Sequence, residues 1–262
     1  MLLSLSTWKE IGAYLQSSKG IIIPIGSTEQ HGPMGLIGTD AICPEKIAAE
    51  ISERYGVLVA PTISYGMSQH HLAFSGSVTL RPTTLIGVVK DIIYSLAHHG
   101  FTHMFFLNGH GGNITPLKSA FSEVYSEYSL AGNLCPIFCT TVGWFEGKQM
   151  NKINKKYFKN GSGSHATPGE ISLSFHAHPE AVKSAEMTPK VAPAGGFRDA
   201  HDFRNSFPDG RIGSNSSLAT KEIGAELCEA AVKDIIKSYN SFLGIYHPFC
   251  SNQSTPLKNK YI

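Results

Sequence analysis

Two short apolar runs, each emptying into a glycine-rich loop that carries acids and histidines, set the terms for this chain. The first is Ile21-Ile22-Ile23-Pro24-Ile25, followed by GSTEQHGPMGLIGTD from Gly26 to Asp40. The second is His103–Leu107, followed by Asn108-Gly109-His110-Gly111-Gly112-Asn113. Neither run alternates apolar with polar residues, so each reads as a strand buried on both faces. Val57–Ile63 and Leu134–Thr141 read as further β-rich segments.

Helical patterns separate these strands. Thr7-x-x-Glu10 matches a capping box opening a short helix. Pro44, at a first helical position, is expected to open a helix with Ile47, Ala48 and Ile51 at core spacing. Thr83 or Thr84 is expected to cap a helix ending at Gly100. A further helix runs to about Gly132, Glu170–His176 is helical, and Ser217–Phe242 is a long amphipathic helix. Gly143 to Gly163 reads as loop, and Ala181 to Asn215 as irregular chain. Buried strands alternating with helices predict an α/β fold with a mostly parallel sheet covered on both faces. The whole chain, 1–262, is expected to form one domain, with its core at about 5–245 and an extension over 246–262.

Bulk properties exclude several classes. The net charge is +2, only 16% of residues are charged, and no block of five or six like charges occurs. Neither a nucleic-acid partner nor a membrane surface is expected. Lys152, Lys155, Lys156 and Lys159 form a basic cluster that reads as a solvated loop. No apolar run approaches the ~20 residues of a membrane span. The N-terminus lacks the basic region of a signal peptide. Five scattered cysteines suit a reduced, cytoplasmic protein better than a disulfide framework.

In an open parallel sheet, ligands bind beyond the carboxyl ends of the strands. Both polar loops begin there. Glu29 and His31 are two apart, so extended chain puts them on one face. Gly32, Pro33, Gly35 and Gly38 let the loop double back and bring Asp40 to the same centre. His110 lies between glycines that permit close approach. Mixed Asp, Glu and His ligands suit Zn²⁺, Mn²⁺ or Fe²⁺. Each residue also has a plainer reading: a surface carboxylate for Glu29, a structural imidazole for His31 or His110, a helix cap for Asp40. Asn108 and Asn113 are either donors to a substrate or braces of the loop, and Asn113 is carried as a substrate contact. Trp144, in TVGWFEG, is either a lid over the site or a packed aromatic.

The segments PIGSTEQHGPMGLIGTD, YGMSQHHLAFSGSVTL, LNGHGGN, HATPGEISL and GSNSSLATKEIG, in this order, resemble the motifs of the creatininase (creatinine amidohydrolase) family. The resemblance implies a three-layer α/β/α domain with two adjacent divalent metals, zinc first, manganese or iron otherwise. It places Glu29 and His110 on one metal and His31 on the other, with Asp40 bridging. Glu170 would add a further carboxylate, His165 would transfer protons, and His71 would face the substrate. It also implies a homo-oligomer, with a hexamer expected. Five positions depart from the family: Met34 and Gly112 replace a His and a metal-binding Glu, His70 replaces a Glu, and Thr167-Pro168 replaces Gly-Glu. The loss at Gly112 argues against creatinine as substrate.

The reaction implied is hydrolysis of a non-peptide C–N bond in a small cyclic amide or formamide. Two divalent ions about 3.5–4 Å apart activate a water and polarise the carbonyl. Asp40 would fix their spacing, and His165 would protonate the leaving nitrogen. The alternatives are a lyase or lactone hydrolase on the same site, or a metal-binding relative without turnover.

Overall fold

A computed structural model describes residues 1–244. The expected extension at 246–262 lies outside the described residues. Three parallel strands form the central sheet: β1 (Gly20–Ile25), β2 (His103–Asn108) and β3 (Phe138–Gly143), in that spatial order. Ile25 stands opposite Asn108, and Asn108 opposite Gly143, so all three carboxyl ends finish on one line.

Side chains alternate between two cores, as the pleat requires. Ile22, Phe105 and Leu107 pack against α2 (Thr39–Tyr55) and α8 (Lys221–Leu243). Ile21, Ile23, Ile25, Met104 and Phe106 pack against α3 (Pro82–His98) and α4 (Ile114–Leu130). Both sides are therefore apolar, which is why neither run alternates in sequence. Each buried isoleucine contributes about 1.5–3 kcal/mol. α1 (Trp8–Ser17) begins with the expected capping box between Thr7 and Glu10.

Several boundaries move. α2 starts at Thr39 rather than Pro44, so Asp40 sits in its first turn and Pro44 lies inside the helix. α3 starts at Pro82 after Arg81, not at a threonine cap. Val57–Ile63 flanks β1 through bridges at Val59 and Ile63 instead of forming a strand, because Pro61 lacks a ladder donor. The expected loop at 143–163 contains α5 (Lys148–Tyr157), which buries Met150 and turns Lys152, Lys155 and Lys156 to solvent. The lysines are good helix formers, and their cluster is an exposed helix face. The segment read as irregular holds α7 (Ala200–Ser206), capped by Asp199, and β5 (Ile212–Ser214). β5 pairs antiparallel with β4 (Ser162–His165), just ahead of α6 (Pro168–Ala177). α8 begins after Thr220, whose side chain accepts from the Ile223 amide, four residues later than expected. The four cysteines among the described residues are free, and no described helix is long and apolar enough to cross a membrane.

Candidate metal centre

Glu29 and His31 leave the end of β1, His110 the end of β2, and Asp40 the first turn of α2. The loop between β1 and α2 folds back through Glu29 N donating to Ile37 O at 2.9 Å and Gly35 N to His31 O at 3.0 Å. A Cβ at Gly109 would strike the Asp40 carbonyl, so glycine there lets α2 seat on the end of β2. His165 ends β4. The next residue, Ala166, holds φ 51°, a strained value for a residue with a Cβ. Ser214 Oγ donating to His165 O and Ser216 Oγ donating to Ala166 O keep that turn in place.

Three groups of ligand atoms converge, each within 4.8 Å: Glu29–Asp40–His110, His31–Asp40–Glu170, and Glu29–His31–His165. Asp40 belongs to the first two, with one oxygen toward each histidine. His31 Nε2 lies 3.0 Å from Asp40 Oδ1, and His110 Nδ1 lies 2.9 Å from Asp40 Oδ2. Glu170 Oε1 is 3.9 Å from His31 Nε2, and Glu29 Oε2 is 3.3 Å from His110 Nε2. Glu29, His31, Asp40 and His110 are all buried.

The outer nitrogens fix the protons. His31 Nδ1 is 3.1 Å from the Glu29 carbonyl, which can only accept, so Nδ1 carries a proton. His110 Nε2 is 3.0 Å from the Met67 carbonyl and is protonated for the same reason. The neutral rings then aim bare nitrogens at the Asp40 carboxylate. Lone pair against anion at 3 Å is repulsive unless positive charge lies between them. Both Glu29 oxygens and Asp40 Oδ2 are buried without any hydrogen-bond partner. A backbone-tied imidazole facing a cation is the usual arrangement around a bound metal. The donor set fits two divalent ions sharing Asp40.

Electrostatics of the metal-free cluster agree. Burial works against charge on His31, but Asp40, Glu170 and Glu29 outweigh it and hold its pKa up at about 10. Burial likewise opposes His110, and Glu29 and Asp40 raise it to about 9. Asp40 is desolvated too, yet the two imidazoliums keep its carboxyl far below the ordinary range. Burial raises Glu29, and raises Glu170 to about 7. Without metal, protons occupy the places of the cations.

Glu170 also serves the start of its own helix. Its Oε1 accepts the Thr167 amide at 2.6 Å, and Thr167 Oγ1 accepts the Glu170 amide at 3.2 Å. The departure Thr167-Pro168 thus forms a capping box that aims the carboxylate at His31. Thr-x-x-Glu was the sequence signal for it. Gly112 leaves no room for the family's glutamate, since a Cβ there would strike His110 Nε2 and the Met67 carbonyl. Met34 packs with Ala166, Ile171 and Phe175 under the turn that carries His165.

A cavity of about 560 Å³ opens over the cluster. His71, His165 and Trp144 line it. Trp144 is 3% exposed and belongs to the packed wall, edge-on to Phe145. Asn113 does not line the cavity. It is fully buried, donates to Gly26 O at 2.9 Å and accepts the Met67 amide at 3.1 Å, so it braces the loops. Its short reach and turn position favour that role. Three further residues, not expected from the sequence, belong to the site. Phe197 stacks on His70 at 4.6 Å, Phe203 meets His71 edge-on at 4.6 Å, and Gln30 touches both His71 and His165. The phenylalanines come from chain with no periodicity to mark them.

The family model described as creatininase, creatinine amidohydrolase, matches residues 4–239. The chain is 34% identical to the creatinine amidohydrolase of Pseudomonas putida, over 87% of this chain and 92% of that protein. It is 28% identical to the 3-dehydro-scyllo-inosose hydrolase of Thermotoga maritima, over 74% of this chain and 61% of that protein. A solved mutant creatininase of the Zn-Zn type superposes with a TM-score of 0.82 at 23% identity, covering 93% of this chain and 98% of the other. With the model spanning nearly every described residue and the three-layer fold shared, the chain belongs to the creatininase family.

Proposed function

We propose that this chain is a metal-dependent amidohydrolase that cleaves a non-peptide C–N bond in a small, uncharged cyclic amide or formamide. One observation carries the reading: both oxygens of the buried Asp40 face histidines whose outer nitrogens are committed to backbone carbonyls. Two divalent ions, zinc first and manganese or iron otherwise, would supply Lewis acidity toward the carbonyl and lower the pKa of a water. Glu29 and His110 would hold one, His31 and Glu170 the other, and Asp40 both.

The chain's own groups do the rest. His165 Nε2 is 2.9 Å from the Gln30 carbonyl, which accepts its proton. That leaves Nδ1 bare, 3.8 Å from Glu29 Oε1 and facing the cluster. Burial, then His71 and His31, hold His165 well below the ordinary histidine range, so it rests neutral. It can accept a proton at Nδ1 and return it to the leaving nitrogen. The cavity lining carries no lysine or arginine among the described residues. Away from the ions, a substrate carboxylate or phosphate would be buried without a cationic side chain to meet it, which favours an uncharged amide. Phe203, Phe197, Trp144 and Phe158 supply flat apolar walls suited to a ring.

The test is metal analysis together with turnover of a panel of cyclic amides and formamides, for wild type, Asp40→Ala and His110→Ala. Two equivalents of metal and hydrolysis lost in both variants are expected. A metal-free wild type, or full activity in both variants, defeats the reading. Product formed without oxygen from ¹⁸O-labelled water would assign a lyase instead.

A further inference from the structure

We propose that Gln30 is a positioning residue: its carboxamide holds His71 in the tautomer that presents Nε2–H to Glu29 Oε1, on the carboxylate of the candidate metal cluster. The inference rests on the two-ion reading of the cluster and adds a layer behind it.

The orientation of the Gln30 amide follows from its neighbours alone. The Gly32 amide can only donate, and it lies 2.7 Å from one end of the carboxamide, which must be Oε1. The Gly210 carbonyl can only accept, and it lies 2.9 Å from the other end, which must be Nε2. A flipped amide would set donor against donor and acceptor against acceptor. Gln30 is 6% exposed, so water does not relieve such a mismatch.

Nε2 has two protons and three claimants: Gly210 O, His71 Nδ1 at 2.9 Å and His165 Nε2 at 2.9 Å. Gly210 O takes one. His165 Nε2 has another outlet, donating its own proton to the Gln30 carbonyl at 2.9 Å. His71 Nδ1 has no other polar partner among the described contacts. The second proton therefore goes to His71 Nδ1, which must be bare, and the neutral ring carries its hydrogen on Nε2. That nitrogen lies 3.1 Å from Glu29 Oε1, an oxygen that otherwise has no hydrogen-bond partner. Phe203, packed against both His71 and His165, restrains the rings. The opposite tautomer would push a proton into the Gln30 NH₂ and turn a lone pair on Glu29.

Outer partners of this kind change metal affinity by about 10–100-fold when lost. The experiment is histidine-ring ¹⁵N NMR on the zinc-loaded protein, with zinc affinity from chelator competition, for wild type, Gln30→Met and Gln30→Glu. Expected in wild type is a protonated Nε2 and a bare Nδ1 on His71. Gln30→Glu, whose carboxylate only accepts, is expected to reverse that tautomer and cut zinc affinity by about 10–100-fold. Gln30→Met is expected to lose affinity without fixing either tautomer. A wild-type His71 protonated on Nδ1 overturns the proposal, and needs no variant to fold. So does a Gln30→Glu protein with unchanged ring shifts and affinity. Neither readout uses turnover. A protein with the stated tautomer that hydrolyses no amide defeats the proposed reaction and leaves Gln30 in place. The reverse tautomer in an active hydrolase removes Gln30 alone.

Discussion

Glu170 Oε1 stands 3.9 Å from His31 Nε2 while accepting the Thr167 amide at 2.6 Å. One carboxylate oxygen thus closes the first turn of α6 and faces the cluster of candidate metal ligands. The helix start holds the carboxylate at that cluster, because a capped N-terminus has little freedom to swing the side chain away.

Glu170→Gln separates the two roles. A glutamine at the third helical position still completes a capping box, so the metal-free melting temperature is expected to hold. The lost negative charge weakens the His31 position, and bound zinc is expected to fall from two equivalents toward one. Thr167→Ala gives the converse: about 1 kcal/mol less stability from the lost cap, with a smaller loss of metal. Elemental analysis and thermal melts check both. A Glu170→Gln protein that still holds two equivalents removes this residue from the ligand set.

Metal binding should release protons. His31, with a pKa of about 10, and His110, with about 9, both carry a proton in the metal-free protein that a cation must displace. Calorimetric zinc titration near pH 8, in buffers of different ionisation enthalpy, is expected to report about two protons released. Both pKa values lie above the ordinary histidine value of about 6.5. Their contribution to stability is therefore complete below about pH 6.5 and is lost as pH rises through 9 to 10. The metal-free melting temperature is expected to fall over that window, and the zinc-loaded one to stay level. No proton release would mean that the histidines are already neutral.

Much of this centre was legible before the fold was. Ile21–Ile25 and His103–Leu107 are apolar on both faces, as strands of a covered parallel sheet are, and the helical patterns between them select that arrangement. Once both polar loops leave carboxyl ends of that sheet, Glu29, His31 and His110 have to meet. Asp40 reaches the cluster from the first turn of α2, not from the doubled-back loop ahead of Pro44 that the sequence suggests. Pro44 looked like a helix start, but α2 begins at Thr39 behind Gly38, which offers no side-chain cap to read. Gln30 could not be found this way. Apart from the Gly32 amide, its side-chain partners lie 41, 135 and 180 residues away, and no local period records such contacts.

Gly112→Glu would not restore a creatinine-type site. The Cβ alone would strike His110 Nε2 and the Met67 carbonyl, and that pair holds the ring with Nδ1 toward Asp40. Overpacking of this kind costs about 1–3 kcal/mol. Gly112→Ala is expected to show most of the loss, in stability and in zinc held at the Glu29–His110 position. A Gly112→Glu protein with full stability and two equivalents of zinc would mean that the loop yields where the packing says it cannot.

His165 is the residue whose two readings make opposite predictions. It lines the cavity and its Nδ1 lies 3.8 Å from Glu29 Oε1, within reach of an ion held by Glu29 and His31. As a ligand, its loss would cost metal first and activity as a consequence. As a proton carrier, its loss would cost rate alone. The geometry favours the carrier, because Glu29–Asp40–His110 and His31–Asp40–Glu170 already supply both positions without it. His165→Ala is therefore expected to keep two equivalents of zinc and to lose about 10²–10⁴-fold in kcat, the range for a general acid–base residue. Small imidazoles added to the medium should restore part of the rate, since the deletion leaves a hole beside Phe203 and His71. Loss of one zinc on this substitution would move His165 into the ligand set and leave the proton without a carrier.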